Sequence, residues 1–306
     1  MRDFNCRRCG NIIDVRQNYL KLRFDHYFSL YEQLCVDGIE LIINKISALP
    51  VLSTTYQQFV KMVEDDAEIS EITKVIETSP TYTLNLLKIA NSAIYSLSTS
   101  SVRQAIVHLG ILVVKDIIIS TEVFNVLQVK GTILEREFKL FVAHSEISNI
   151  IFHTLYRKAN GEKVPEEFET ACLLQDIGKL VILHFFPKEY KEIMSIRKTE
   201  PQLTILEIEQ SVLGVNHGQA GAYLLDWWNL PLTLQEVALY HHDPLNENVF
   251  YSDILKLIYI ANEISGKILH ESKELFIEEN ILVDVKLSIT DLEETVEHFA
   301  QTDFRL

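Results

Sequence analysis

The stretch from residue 69 to residue 91, ISEITKVIETSPTYTLNLLKIAN, decides the class of fold. Ile69, Ile72, Val75 and Ile76 recur at helical spacing up to Ser79-Pro80. A residue that precedes proline is steered away from the helical basin, so this helix is expected to end there. A second is expected from near Thr81 to Asn91, carrying Leu84, Leu87 and Ile89. Two helices punctuated by one proline set the pattern for the chain.

Working outward, the polar-to-apolar shift near Leu49-Pro50 marks the start of this helical set. A third helix is expected from Ser101, carrying Ile106, Leu109, Leu112 and Val113 and running on through Ile117 to Val126. The polar segments QVKGTILERE (128–137) and RKANGEKVPEEF (157–168) read as loops, the first as a domain boundary. Beyond it, helices are expected around 138–156, within 169–184, at 187–198 opened by Pro187, near 204–213, and over 217–228, 232–242, 253–269 and 289–301. The fragment ILVDVKLSI (281–289) alternates and is the one candidate strand. The expectation is an all-α chain in two helical lobes, 40–128 and 138–270, flanked by an N-terminal tail (1–39) and a C-terminal extension (271–306).

Composition agrees. Ten glycines and seven prolines in 306 residues are roughly half the usual share, too few for many short strands and their turns. Forty-three acidic residues against 28 basic give a net charge of −15, which repels polyanions, so neither nucleic acid nor an anionic membrane is expected as a partner. SEITKVIETSPTYTLNLLKIAN has a superficial helix-turn-helix outline, but Lys74 and Lys88 are its only cations. The greasiest run, AIVHLGILVVKDIIIS (105–120), is interrupted by His108, Lys115 and Asp116, and no apolar run reaches the ~18 residues of a membrane span. The charged start MRDFNCRRCG does not resemble a signal peptide, and a cytoplasmic location is expected.

Several side chains invite chemistry. Cys6 and Cys9 form half of a zinc knuckle, with no second pair at suitable spacing, and Cys172 in ACLL reads as a small core residue. His144, His217, His241 and His242 lie in apolar helical surroundings, with Asp176 between the first two in sequence. Neutral imidazole and carboxylate are the donors that Zn, Mn or Fe require, and a helical bundle can project them from separate helices into one pocket. Each histidine taken alone reads equally well as a hydrogen-bonded core or surface group. Trp227 and Trp228 read as aromatic anchors of which one is buried, and Asn91, Ser92 and Tyr95 as a hydrogen-bond network ending a helix.

Taken in order, LPVLSTTYQQFVKMV, EISEITKVIETSP, LLKIANSAIYSL, SSVRQAIVHLGI, AHSEISNII, ACLLQDIGKLVI, LGVNHGQAGAYLLDWWNLP and VALYHHDP resemble the HDOD family, the HD-related output domain of bacterial signalling proteins. The resemblance covers roughly residues 40–265. It implies an HD-superfamily helical bundle, related to the HD-GYP phosphodiesterases, in the second lobe. It also implies a metal-ligand set of His144, Asp176, His217, His241 and His242. Two positions depart: Gln175 stands where the doublet histidine would lie, and Asn262, in YIANEIS, where a distal aspartate would. Neutral amide oxygens bind transition metals weakly, and Asn262 removes a charge that would offset a divalent ion. The sequence therefore reads as a non-catalytic regulatory protein that binds a partner or ligand through a degenerate HD pocket. No cofactor is expected beyond a residual Fe, Mn or Zn ion. The partner would be a signalling protein, and a homodimer is compatible with the sequence. The alternative is a metal-dependent phosphohydrolase or cyclic-dinucleotide phosphodiesterase, with Lys179 on phosphate. As a residue, Lys179 reads instead as a surface lysine opposite Ile177 and Leu180.

Overall fold

The computed structural model describes residues 52–91, 95, 97–127, 132–165, 168, 170–228, 230–269 and 275–300, together with 4–5, 12–13 and 42. Cys6 and Cys9 lie outside the described residues. The chain falls into two compact units, one of Leu49–Gln128 with Lys163–Thr170, the other containing Val129–Glu162 and Ala171–Leu306.

Among the described residues of the first unit five helices stand: α1 (Thr54–Glu64), α2 (Ile69–Glu77), α3 (Pro80–Ala90), α4 (Val102–Leu109) and α5 (Ile111–Val126). Ser53, Ser79 and Ser101 cap α1, α3 and α4 by accepting backbone N–H groups of Tyr56, Tyr82 and Gln104. Helix α2 buries Ile72, Val75 and Ile76 and ends just before Pro80, which opens α3. The phase of α3 differs from expectation: Tyr82, Leu86 and Ala90 face inward, and Leu84 is 68% exposed. The continuous helix expected from Ser101 to Val126 is broken at Gly110, whose φ of 88° is open to glycine and strained for other residues. Within this unit the buried Glu122 of α5 accepts the Ser53 backbone N–H and the Tyr82 hydroxyl, each at 2.5 Å, and so joins α1, α3 and α5. Asn91 closes α3 by exchanging two hydrogen bonds with the Thr99 backbone, the helix-ending role expected of it.

The second unit opens with the long α6 (Thr132–Asn160). The helix takes in residues 132–137 of the first segment read as a loop and 157–160 of the second, where Leu, Glu, Arg, Lys and Ala are good helix formers. Gly161, at φ 74°, ends α6 and donates its N–H to Arg157. Then come α7 (Ala171–Leu174), α8 (Ile177–Phe185), α9 (Pro187–Thr199), α10 (Ile205–Leu213), α11 (His217–Trp227), α12 (Leu232–Tyr240), α13 (Ser252–Leu269), α14 (Glu279–Asp284) and α15 (Ile289–Ala300). Pro187 stands in the first turn of α9, and capping boxes Thr204/Glu207 and Asn216/Gln219 start α10 and α11.

The candidate strand at 281–289 is helix, turn and helix. Ile281, Leu282 and Val285 are buried while Val283 is 66% and Ile289 56% exposed, a helical rather than alternating pattern. Lys286 then turns the chain at φ 60°. Among the described residues the sole strand pairing is a two-residue antiparallel ladder, Phe4 with Ile13 and Asn5 with Ile12. The all-α fold class stands among the described residues. No helix among the described residues is long and apolar enough to cross a membrane.

Close packing positions the site. Helix α6 lies along α13, α8 against α11, α11 against α12, and α7 touches both α6 and α12. At the α8/α11 crossing the backbones meet at Gly178 and Gly221: a Cβ on Gly178 would overlap the His217 carbonyl and lie 2.7 Å from the Gly221 nitrogen. This approach sets Asp176, just before α8, beside His217 at the start of α11.

Candidate functional site

Gln175 and Asp176 occupy the break between α7 and α8, and both side chains are fully buried. Asp176 Oδ1 lies 3.1 Å from His241 Nε2, 3.3 Å from His217 Nε2 and 2.6 Å from Lys179 Nζ. One donor atom from each of Asp176, His217, His241 and His242 falls within 4.8 Å of the others. Four of the five candidate ligands therefore come together, and one divalent ion could be held by them.

The imidazoles are oriented from behind. As the first residue of α11, His217 has a backbone N–H without an intrahelical acceptor, and Glu209 Oε2 takes both that N–H, at 2.8 Å, and the Nδ1 proton, at 2.7 Å. His241 Nδ1 donates to the Ala238 carbonyl at 2.9 Å. Both Nε2 atoms are thus turned toward Asp176, 3.3 Å from each other. This is the support a metal-ligating histidine normally receives.

Electrostatics favour an ionised carboxylate at the centre of the pocket. Burial alone would raise the Asp176 pKa, but the Lys179 charge and the contacts from His144, His217 and His241 outweigh it and hold the carboxyl well below its usual range. Burial lowers the pKa of His241, and burial, with the imidazoles of His241 and His217 and the Lys179 ammonium nearby, pushes that of His242 well down. For His217 burial opposes the charged ring, yet Glu209 and Asp176 raise its pKa overall. In the pocket Asp176 Oδ2, His242 Nε2 and, on the amide side, Gln175 Oε1 are buried without a hydrogen-bond partner. Inward-facing lone pairs with too few protons are the donor set that suits a divalent transition metal.

His144 lies apart from that ring. It is 3.3 Å from Asp176 Oδ2, but the geometry of a hydrogen bond is met instead with Asn262 Oδ1, at 2.8 Å. Asn262 Oδ1 also accepts Gln175 Nε2 at 3.2 Å, while Gln175 Nε2 reaches Ser148 at 3.1 Å and His144 Nδ1 meets Ser265 at 3.0 Å. The two departing residues thus bond to one another and to the fifth candidate ligand.

Lys179 corrects its reading as a surface lysine. It is 30% exposed on its side chain, but its ammonium reaches back one turn to Asp176. Of the tryptophans, Trp228 is buried and Trp227 is 45% exposed; Cys172 is buried in the core. Glu209, Ser148 and Ser265 were not singled out from the sequence. The signal for Glu209 was a carboxylate on the inward face of α10, beside Ile205 and Ile208, where an unpaired charge is disfavoured.

The HDOD domain profile matches residues 49–244, more than half of the chain. The chain belongs to the HDOD family. Over 233 residues it is 23% identical to an uncharacterized protein of Treponema pallidum (strain Nichols), covering 72% of this chain but only 43% of that relative, so it spans less than half of the relative's length. Among solved structures it is similar to the "Putative phosphohydrolase" of Shewanella amazonensis SB2B, with a TM-score of 0.66 at 20% identity over 88% of this chain and 96% of that one. It is also similar to the "Putative signal transduction protein" of Marinobacter aquaeolei VT8, with a TM-score of 0.64 at 16% identity over 91% and 64%. At these identities the likeness is one of fold.

Proposed function

We propose that the protein is a non-catalytic regulatory member of the HDOD family, acting by binding a partner protein or small ligand through its helical surface and an altered HD pocket. The observation that carries this reading is Asn262, whose Oδ1 accepts from both His144 and Gln175. An amide oxygen already taking two hydrogen bonds has no free lone pair for an ion, so Asn262 is withdrawn from metal binding, and the acceptor left open beside it is the neutral amide oxygen of Gln175. The ring of Asp176, His217, His241 and His242 keeps room for one ion of Fe, Mn or Zn. The Marinobacter protein's name is consistent with a signalling role. With the net charge of −15, the partner is a protein rather than nucleic acid.

A second reading, metal-dependent phosphohydrolase, draws on the same four donors and on the name of the Shewanella protein. A bound metal would supply a water of lowered pKa and a Lewis acid. Asp176, His217, His241 and His242 would hold it, Glu209 would orient His217, and Lys179 would offer a cation to phosphate. The deciding experiment quantifies Fe, Mn and Zn in the protein as isolated and assays hydrolysis of cyclic dinucleotides and (p)ppGpp. The regulatory reading expects no turnover. Near-stoichiometric metal with turnover that disappears in Asp176→Asn would overturn it.

A further inference from the structure

Lys179 occupies the place where positive charge is most needed. Its Nζ is 2.6 Å from the same Asp176 oxygen that His241 Nε2 and His217 Nε2 approach at 3.1 and 3.3 Å. We infer that Lys179 is the resident cation of the metal-free pocket, and that a divalent ion enters by exchange with it. The inference rests on the single-ion reading of the pocket given above.

The ammonium and a bound ion would share one space. An ion held by Asp176, His217, His241 and His242 sits ~2.0–2.2 Å from its oxygen and nitrogen donors, among atoms that all lie within 4.8 Å of one another. An ammonium on Asp176 Oδ1 occupies one of the two carboxylate oxygens that the ring offers an ion, and it repels the incoming charge. Lysine, unlike arginine, is a point cation on a flexible four-carbon stem, so it can leave without disturbing the backbone. Lys179 has somewhere to go: it stands in the first turn of α8 with its side chain 30% exposed. The buried carboxylate is then never left without a counter-charge, whether or not metal is present.

Two measurements on the full chain test the exchange. The first is the acylation rate of Lys179 in the wild-type protein, followed by mass spectrometry with and without Zn²⁺. The second is Zn²⁺ titration of wild type, Lys179→Gln and Lys179→Arg, with circular dichroism to check folding. Zn²⁺ is expected to raise Lys179 acylation several-fold while leaving other lysines unchanged. Lys179→Gln should bind Zn²⁺ about tenfold more tightly, the gain when a competent fraction of about one tenth becomes whole. Lys179→Arg, which keeps a cation, should not share the gain. Acylation that is unchanged or reduced with Zn²⁺ bound overturns the exchange while the metal site stands, as does a Lys179→Gln protein that binds no tighter. Absence of Zn²⁺ binding in both wild type and Lys179→Gln overturns the single-ion reading itself.

Discussion

Gln175 and Asn262 are hydrogen-bonded to each other, Nε2 to Oδ1 at 3.2 Å, across the interior of the second unit. Neither residue is an isolated loss. Together with Ser148, His144 and Ser265 they form a continuous network in which the amides stand where a histidine and an aspartate would face an ion. Reversing one without the other should therefore be worse than reversing both. Asn262→Asp alone places a second carboxylate in the buried pocket near Asp176 and should cost the metal-free protein about 3 kcal/mol, the low end for a poorly compensated buried charge because His144 remains as a partner. Added to it, Gln175→His should recover much of that loss in the presence of Mn²⁺ or Fe²⁺. Thermal melts of both variants with and without metal check this; a single variant as stable as wild type would contradict it.

Glu209 should matter to metal rather than to folding. Its Oε2 fixes the Nδ1 side of His217, so Glu209→Gln should weaken Zn²⁺ binding by about 10–100-fold, the usual effect of removing such a support. Calorimetric titration reads the affinity, and circular dichroism verifies that the helices persist.

The crossing of α8 and α11 tolerates no side chain at Gly178, where a Cβ would overlap the His217 carbonyl backbone. Gly178→Ala should destabilise the protein by about 3 kcal/mol or more, at the severe end for overpacking because the obstacle is backbone. Chemical denaturation measures the loss, and metal binding should fall with it as Asp176 and His217 are forced apart.

Acid should weaken the contact between α6 and α15. Lys158 bridges Asp291 and Glu294 at 2.7 and 2.8 Å, and hydrogen bonds from Lys158 and Ser288 hold the Asp291 carboxyl down to about 2. A carboxyl lowered on folding stabilises above its ordinary pKa of ~3.9, and the contribution is lost as pH falls from there toward about 2. The pair is solvent-screened, so the effect is under about 1 kcal/mol. Melting temperatures of wild type and Lys158→Ala should differ at neutral pH and converge near pH 2.

The helical class and most helix positions were legible because they rest on local rules: apolar spacing at Ile72, Val75 and Ile76, prolines 80 and 187 in first turns, and few glycines. What misled was local propensity read without packing. Val283 and Val285 look alike in an alternating string, yet one is exposed and the other buried, because Val283 lies on the outer side of α14 and Val285, capping its end, faces the core. Gly110 divides a run that stays largely apolar on both sides of it, and the signal was that single glycine. Of the pocket, the residue types left each histidine open, and the family resemblance implied the set His144, Asp176, His217, His241 and His242. The sequence could not show that His144 bonds to Asn262 rather than joining that ring, since the pairing spans 118 positions and depends on how α6 lies on α13. Lys179 was misread for a related reason: its spacing allows both solvent and Asp176, and only the buried carboxylate one turn earlier decides between them.

The number of metal ions bound per chain tests the central claim most directly. After loading with excess Mn²⁺, Fe²⁺ or Zn²⁺ and removal of free ion, elemental analysis should find at most one ion per chain, and that ion should be lost in Asp176→Asn. Two ions per chain would mean that the His144, Gln175 and Asn262 side opens to metal, and would contradict the account.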